Sequence, residues 1–263
     1  MDALQASLVA GGAFLAGGMN ALAGGGTFFS FPALLAAGVL PVTANASNTV
    51  ALWPASLSSA WAYRREVTRH KAWTALLVAV SLAGGLAGGL LLLAISNAAF
   101  SRLVPWLLLV ATALFAFSCQ VSRLVAAFKA RLGFAAGRSA TGTPGGLGGL
   151  IFQLLVAIYG GFFGAGMGIL TLAALSIQGV EDIQELNGLK NLTSAVNYTV
   201  AAATFVIAGA ISWPHTLIML ATALVGGYAG ASLARRLPAL WLRRFVIAVG
   251  SSLTAIYFVK TYL

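Results

Sequence analysis

Acidic side chains and cysteine are what this 263-residue sequence has least of, with five Asp and Glu in all and a single Cys. Cys119 excludes an internal disulfide, and with only two His elsewhere it has no set of partners for metal ligation or redox exchange. It lies inside an apolar run and reads as packing. Charge of either sign is scarce: 8% of residues carry one, whereas an ordinary soluble domain carries about 25%. So few charges cannot cover an aqueous surface. Catalytic signatures are missing as well. The chain holds no His-Glu-x-x-His, no Gly-x-Ser-x-Gly, no Cys/His cluster and no pair of carboxylates within an apolar run, so it does not read as an enzyme. Gly161-Phe162-Phe163-Gly164-Ala165-Gly166 is not a dinucleotide fingerprint, because it sits in an apolar segment without a preceding strand or a ribose-binding acid. No cofactor and no resident metal are expected.

What fills the chain instead is hydrophobic residues, 60% of it, at a mean hydropathy of +0.94. Ala72 to Ile95, Val104 to Val121 and Leu217 to Leu233 are long apolar runs. A hydrocarbon core of about 30 Å takes about 20 helical residues at about 1.5 Å each, so these runs predict membrane spans. The first apolar segment begins Met-Asp, lacks a basic start and leads into more membrane, so it is expected to be retained as structure and not removed as a signal. The net charge of +10 would suggest nucleic acid in a soluble chain. Here the Lys and Arg cluster between apolar segments, where they orient the protein and touch anionic lipid.

The segments come in two matching sets. A glycine-broken pair (Leu4 to Leu22, Thr27 to Ala37) is followed by Ala44 to Tyr63, Ala72 to Ile95 and Arg102 to Phe128. The pattern returns as Leu147 to Phe163, Met167 to Ile177, Glu185 to Ala208, His215 to Ala234 and Leu240 to Tyr262. The stretch Ala23-Gly24-Gly25-Gly26-Thr27-Phe28-Phe29 resembles Phe163-Gly164-Ala165-Gly166-Met167-Gly168-Ile169, 140 positions later, and each is followed by a Gly-Val turn, Gly38-Val39 or Gly179-Val180. This organisation predicts a first membrane repeat over 1–130, a linker over 131–146 rich in Gly, Ser, Thr and Pro, and a second repeat over 147–263.

Charge predicts the topology. Arg64, Arg65, Arg69 and Lys71, then Arg123, Lys129, Arg131 and Arg138, then Arg235, Arg236, Arg243 and Arg244 mark three cytoplasmic loops, whereas Ser96 to Ser101 and Gly209 to Pro214 carry no charge and should face outward. For the last basic loop to stay inside, the pair from Leu147 to Ile177 must enter and return on the cytoplasmic side as a hairpin. The same logic puts the first hairpin and both termini outside. The expected fold is therefore an all-α polytopic membrane protein of two inverted repeats, each a glycine-broken helical hairpin plus three transmembrane helices. The competing arrangement has single tilted spans and one shared orientation.

A helix that stops within the membrane leaves backbone groups that hydrocarbon cannot satisfy, so such breaks persist where they are buried in protein or line a polar cavity. The next helix begins there with free N–H groups and the positive end of its dipole, suited to an anion. Gly24, Gly25, Gly26 and Thr27, with Gly164, Gly166 and Gly168, are the candidate binding residues at the two breaks. Glycines at Gly84-Gly85, Gly88-Gly89, Gly226-Gly227 and Gly230 read as helix packing. After each hairpin comes a polar stripe at helical spacing: Asn187, Lys190, Asn191, Ser194 and Tyr198 in the second half, and Asn45, Asn48, Thr49, Ser56 and Ser59 in the first. Lys190 could hold an anion by point charge, or it could snorkel to the interface or pair with Glu185, Glu181 or Asp182. The sequence leaves both open, as it does for the Asn residues as interhelical glue. Trp61, Tyr63, Trp73, Trp106, Trp213, Trp241, Tyr257 and Tyr262 lie near span ends and read as an interfacial belt.

With these residues in view, Ala23 to Thr27, Phe31-Pro32-Ala33-Leu34-Leu35, the turn from Pro41 to Asn48, and Leu189-Lys190-Asn191-Leu192 to Gly209 and Trp213 resemble the sulfite exporter TauE/SafE family over nearly the whole chain. The resemblance implies a multi-pass permease of a bacterial-type inner membrane for sulfite, sulfonates such as sulfoacetate, or another small organic anion. Ala165 and Met167 depart from a pure glycine run, and Met167 has no hydroxyl where the first half has Thr27. The resulting expectation is an exporter of a small sulfur-containing anion bound near the midplane by Gly24 to Thr27, Gly164 to Gly168, Asn45, Asn48, Thr49, Asn187, Lys190, Asn191 and Ser194. Its partners would be that solute and membrane lipid, not nucleic acid; homo-oligomerisation is left open. The alternative is a membrane assembly or anchoring partner whose glycines serve packing alone.

Overall fold

The computed structural model describes residues 2–22, 25–65, 67, 71–117, 120, 146–180, 182–234 and 239–262. Among them are ten helices and no strand: α1 (Ala3–Leu22), α2 (Thr27–Ala36), α3 (Pro41–Ala62), α4 (Lys71–Ala94), α5 (Asn97–Ala116), α6 (Gly146–Phe162), α7 (Met167–Ile177), α8 (Ile183–Ile207), α9 (Trp213–Ala234) and α10 (Ala239–Tyr262). The linker expected over 131–146 lies, but for its last residue, outside the described residues, as do Cys119, Gly24 and most of the stretch from Phe117 to Phe128. By length and composition, α4, α5 and the Arg244–Tyr262 part of α10 are long and apolar enough to cross a membrane.

Helix starts follow local chemistry. Pro41 opens α3 three residues before the start expected from apolar periodicity, because a missing N–H costs nothing in a first turn. Ser96 caps α5 by accepting from the Ala99 N–H at 3.2 Å, so that helix begins at Asn97. Asp182 does the same for α8, accepting from Gln184 and Glu185.

Both glycine-broken pairs double back as hairpins. In the first, a Cβ at Gly26 would meet the Ala16 carbonyl, and one at Gly12 would meet Ala33 and Phe29. In the second, the Gln178 side-chain amide donates to the Gly149 carbonyl at 3.3 Å, joining the far end of α7 to the start of α6. Gly164 and Gly166 turn this second break with φ of 79° and 75°, in the left-handed region that suits glycine.

Helix contacts respect the two halves. α1 packs on α9 as α6 packs on α4; α4 packs on α8 as α9 packs on α3; α3 meets α8, and α5 meets α10. Exchanging the halves maps this set onto itself. The long seams depend on glycine. A Cβ at Gly17 would collide with the Ala223 carbonyl, one at Gly226 with the Phe14 carbonyl, and one at Gly88 with the Ile158 carbonyl. Helix axes therefore approach closely, with backbone against backbone.

Two ends can be told apart. Val67 packs with Trp73, Leu77, Leu175, Val180 and Leu189 at the end bearing Arg64 and Arg65. At the opposite end the Val42 N–H donates to Asn97 Oδ1 at 3.0 Å, and the Ser212 N–H donates to Ser47 Oγ at 3.0 Å.

Replacing Gly17 or Gly226 by Leu is expected to lower the Tm in detergent, since overpacking costs about 1–3 kcal/mol or more. Gly11→Leu, with nothing within 4 Å of its Cβ position, is the control and should leave Tm unchanged; equal Tm values for all three would refute the seam.

Candidate functional site

The hairpin tips enclose a cavity of about 330 Å³. Tip one contributes Asn20, Gly25 and Thr27; tip two contributes Gly164 to Gly168, followed by Ile169 and Leu172 of α7. The remaining wall is Leu52, Ser56 and Ser59 of α3, Phe115 of α5, and Lys190, Asn191, Ser194 and Tyr198 of α8. The α8 residues recur every three or four positions, so one face of the helix meets the space. Hydroxyls, amides and the Lys190 ammonium make up the polar part of the lining, and Leu52, Phe115, Ile169 and Leu172 the apolar part.

Lys190 is the charged residue among those described in this wall. Its stem passes Gly168, where a Cβ would stand 3.7 Å from the lysine Cδ. No described carboxylate lies within ion-pair distance of it, and no described group of His, Cys, Asp and Glu could hold a metal ion.

The second break exposes backbone donors to this space. Met167 N–H is taken by the Gly164 carbonyl at 3.2 Å and Ile169 N–H by the Gly166 carbonyl at 3.0 Å. Among the described residues the N–H groups of Gly166 and Gly168 find no acceptor. The carbonyls are better provided for. The Tyr159 hydroxyl donates to the Ala165 carbonyl at 2.6 Å, and the Asn45 amide donates to the Phe162 carbonyl at 2.8 Å. With its acceptors tied back and donors free, this half-helix start presents a partly positive surface to the cavity.

At the first tip Thr27 is the junction. Its hydroxyl receives the Asn48 amide at 3.4 Å, and it lines the same cavity as Tyr198 of the other half. Asn48 also accepts from Ser30.

The structure thus gathers Gly25, Thr27, Gly164, Gly166, Gly168, Lys190, Asn191 and Ser194 around one space. It does not bring Asn45, Asn48 or Thr49 to the wall. All three are buried; Asn45 bonds to the second break, Asn48 supports Thr27 from behind, and Thr49 bonds back to the Asn45 carbonyl at 2.9 Å. Gly26 packs on Ala16 behind the tip, and Asn187 lies a turn below the wall. Asn20 and Tyr159 carried no signal beyond lying near a break. Tyr198, Ser56 and Ser59 were legible as members of polar stripes.

The profile described as sulfite exporter TauE/SafE matches residues 9–258. The chain belongs to this family. It is 28% identical over 249 residues to a probable membrane transporter protein of Haemophilus influenzae, covering 92% of this chain and 90% of that one. It is similarly 24% identical over 248 residues to the probable membrane transporter protein YfcA of Escherichia coli K12, covering 92% and 86%. No solved structure matches. TauE/SafE membership and the apolar helices make the chain a multi-pass membrane protein, and membership implies transport in place of catalysis.

In this TauE/SafE protein, Tyr159→Phe should remove the tie on the Ala165 carbonyl and lower stability by about 1 kcal/mol, the scale of a hydrogen bond between membrane helices. Thermal unfolding reads it; an unchanged Tm would mean the carbonyl needs no partner.

Proposed function

We propose that the protein exports a small sulfur-containing anion, sulfite or a sulfonate such as sulfoacetate, across a bacterial-type inner membrane, binding it between two inverted repeats. The observation that carries this reading is Lys190, an ammonium in the cavity wall beside Gly168 with no described carboxylate to neutralise it. A sulfonate offers three acceptor oxygens. The free N–H groups of Gly166 and Gly168, the Asn191 amide and the hydroxyls of Ser194, Ser56 and Tyr198 are donors within the same wall. The exchange symmetry of the largest helix contacts and the two hairpins support inverted repeats, an arrangement in which half-helix starts commonly face an anionic group. Membrane lipid surrounds the exposed leucines and valines of α4, α5, α9 and α10. The assembly alternative calls for a sealed interior, and the cavity argues against it.

Export direction and sidedness are part of the proposal: basic loops and linker cytoplasmic, both termini outside. Cysteines introduced as Asp2→Cys and Thr261→Cys in a Cys119→Ser background should react with an impermeant thiol reagent from the outer side only. A cytoplasmic location of either would sink the inverted topology.

Binding of sulfite, sulfoacetate, sulfate and chloride to purified protein, read by thermal shift or calorimetry, tests the site. A sulfur oxyanion should stabilise the wild type. Lys190→Met should weaken its binding about tenfold or more, since a hydrogen bond to a charged group is worth about 1.5–3 kcal/mol. Unchanged affinity in a folded variant would dismiss the role given to Lys190.

A further inference from the structure

The two halves match in their largest helix contacts but not in what they enclose. Aligning α3 with α8 from their first residues, Pro41 and Ile183, sets Asn48, Thr49, Leu52 and Ser56 opposite Lys190, Asn191, Ser194 and Tyr198. All four α8 positions line the cavity. Of the α3 positions only Leu52 and Ser56 do, while Asn48 and Thr49 are 1% and 5% exposed, Asn48 being met by Ser30 and Thr27 and the Thr49 hydroxyl turned back to the Asn45 carbonyl of its own helix. One stripe is open and its counterpart is shut.

The cavity also has a single direction. Its α3 wall runs from buried Leu52 to exposed Ser59, towards the end bearing Arg64 and Arg65. On the other side of the tips stands a cluster of rings drawn from α2, α5 and the tip of α6. Phe31 meets Phe163 edge-on at 5.6 Å, Phe100 meets Phe162 at 5.5 Å, and Phe31 meets Phe100 at 6.4 Å. Asn45 latches this cluster to α3 through the Phe162 carbonyl. Edge-on ring pairs are individually weak contacts, so the seal can part at a cost that preferential binding of a solute to the parted state can offset. Pro54 lies in α3 between the buried residues and the cavity-lining Ser56 and Ser59. Lacking an N–H, it leaves the Val50 carbonyl without its helical donor, a local weakness at which the two halves of α3 can move apart.

We propose that the cluster of Phe31, Phe100, Phe162 and Phe163 is a gate, and that the protein alternates between this state and one in which the gate parts and Asn48 and Thr49 line a cavity open to the opposite face. The proposal rests on the reading of the chain as a transporter with inverted halves. In the second state Asn48 would stand where Lys190 stands now, so the solute would meet an amide on one side of the membrane and an ammonium on the other.

Cysteine accessibility tests it in oriented vesicles, with Cys119 replaced by Ser and a membrane-impermeant thiol reagent applied from each side. Ser194→Cys should react from the face of Arg64 and Arg65 alone. Thr49→Cys should react slowly and from the opposite face alone. Adding Phe31→Ala or Phe162→Ala should speed the reaction of Thr49→Cys about tenfold or more, the change expected from shifting a two-state population by about 1.4 kcal/mol. Labelling of Thr49→Cys from the same face as Ser194→Cys would overturn the gate. So would a Thr49→Cys rate indifferent to both phenylalanine changes while Ser194→Cys, carrying the same changes, still reacts from its own face and so reports a folded protein. Labelling needs no solute, so a wrong anion would leave the pattern intact, and failure of anion binding alone would count only against the functional reading.

Discussion

A broken helix within an apolar surrounding has backbone donors and acceptors with no water to receive them, and the architecture of this protein can be followed outward from that constraint. At the second break the acceptors are taken by side chains brought from elsewhere: Tyr159 for the Ala165 carbonyl and Asn45 for the Phe162 carbonyl. One turn earlier Asn197 donates to the Ala157 carbonyl at 2.8 Å. Asn45 comes from the other half of the chain, so the second break is completed only when the halves are joined. The joint is tied in the other direction too, since the Trp53 indole of α3 donates to the Thr199 hydroxyl of α8 at 2.8 Å.

Close approach of helices is the second consequence. A tip can be surrounded by protein only if its neighbours come near enough to exclude lipid, and the seams at Gly17, Gly226 and Gly88 allow that by bringing backbone against backbone. In lipid no hydrophobic gain accompanies helix association, so shape fit and interhelical hydrogen bonds carry the assembly. The apolar leucines of α4 and α5 that remain exposed are then the surface of the protein towards the bilayer. The polar groups gather inward, and a chain with 8% charged residues keeps one lysine for the cavity wall.

Much of this was legible in the sequence, and the physical reasons differ by feature. The breaks announced themselves as glycine clusters inside apolar runs, recurring 140 positions apart, and both fold back as hairpins. The stripe from Lys190 to Tyr198 followed from helical period alone. Asn20 and Tyr159 were not legible, since nothing in spacing says that a side chain in α1 or α6 will reach past its own helix to a tip. Helix α3 was expected from Ala44 because apolar periodicity begins there, whereas a proline first turn starts it at Pro41.

Asn45, Asn48 and Thr49 mark a different boundary of what a sequence can say. They sit at positions equivalent to residues that do line the cavity or approach it, and their chemistry suits a site just as well. Periodicity identifies the face of a helix that looks towards the pseudo-symmetric centre, but it gives the same answer for both halves. In a transporter of the proposed kind both answers cannot hold together: space opened along α8 calls for α2, α3 and the phenylalanine rings to fill the other side of the tips, because a channel open at both ends would let solute leak. Under the proposed alternation, the symmetry carried by the sequence belongs to a pair of conformations, and any one of them has to break it. Burial of Asn48 while half-buried Lys190 lines the cavity is what the proposed alternation expects of a near-symmetric sequence in one member of the pair.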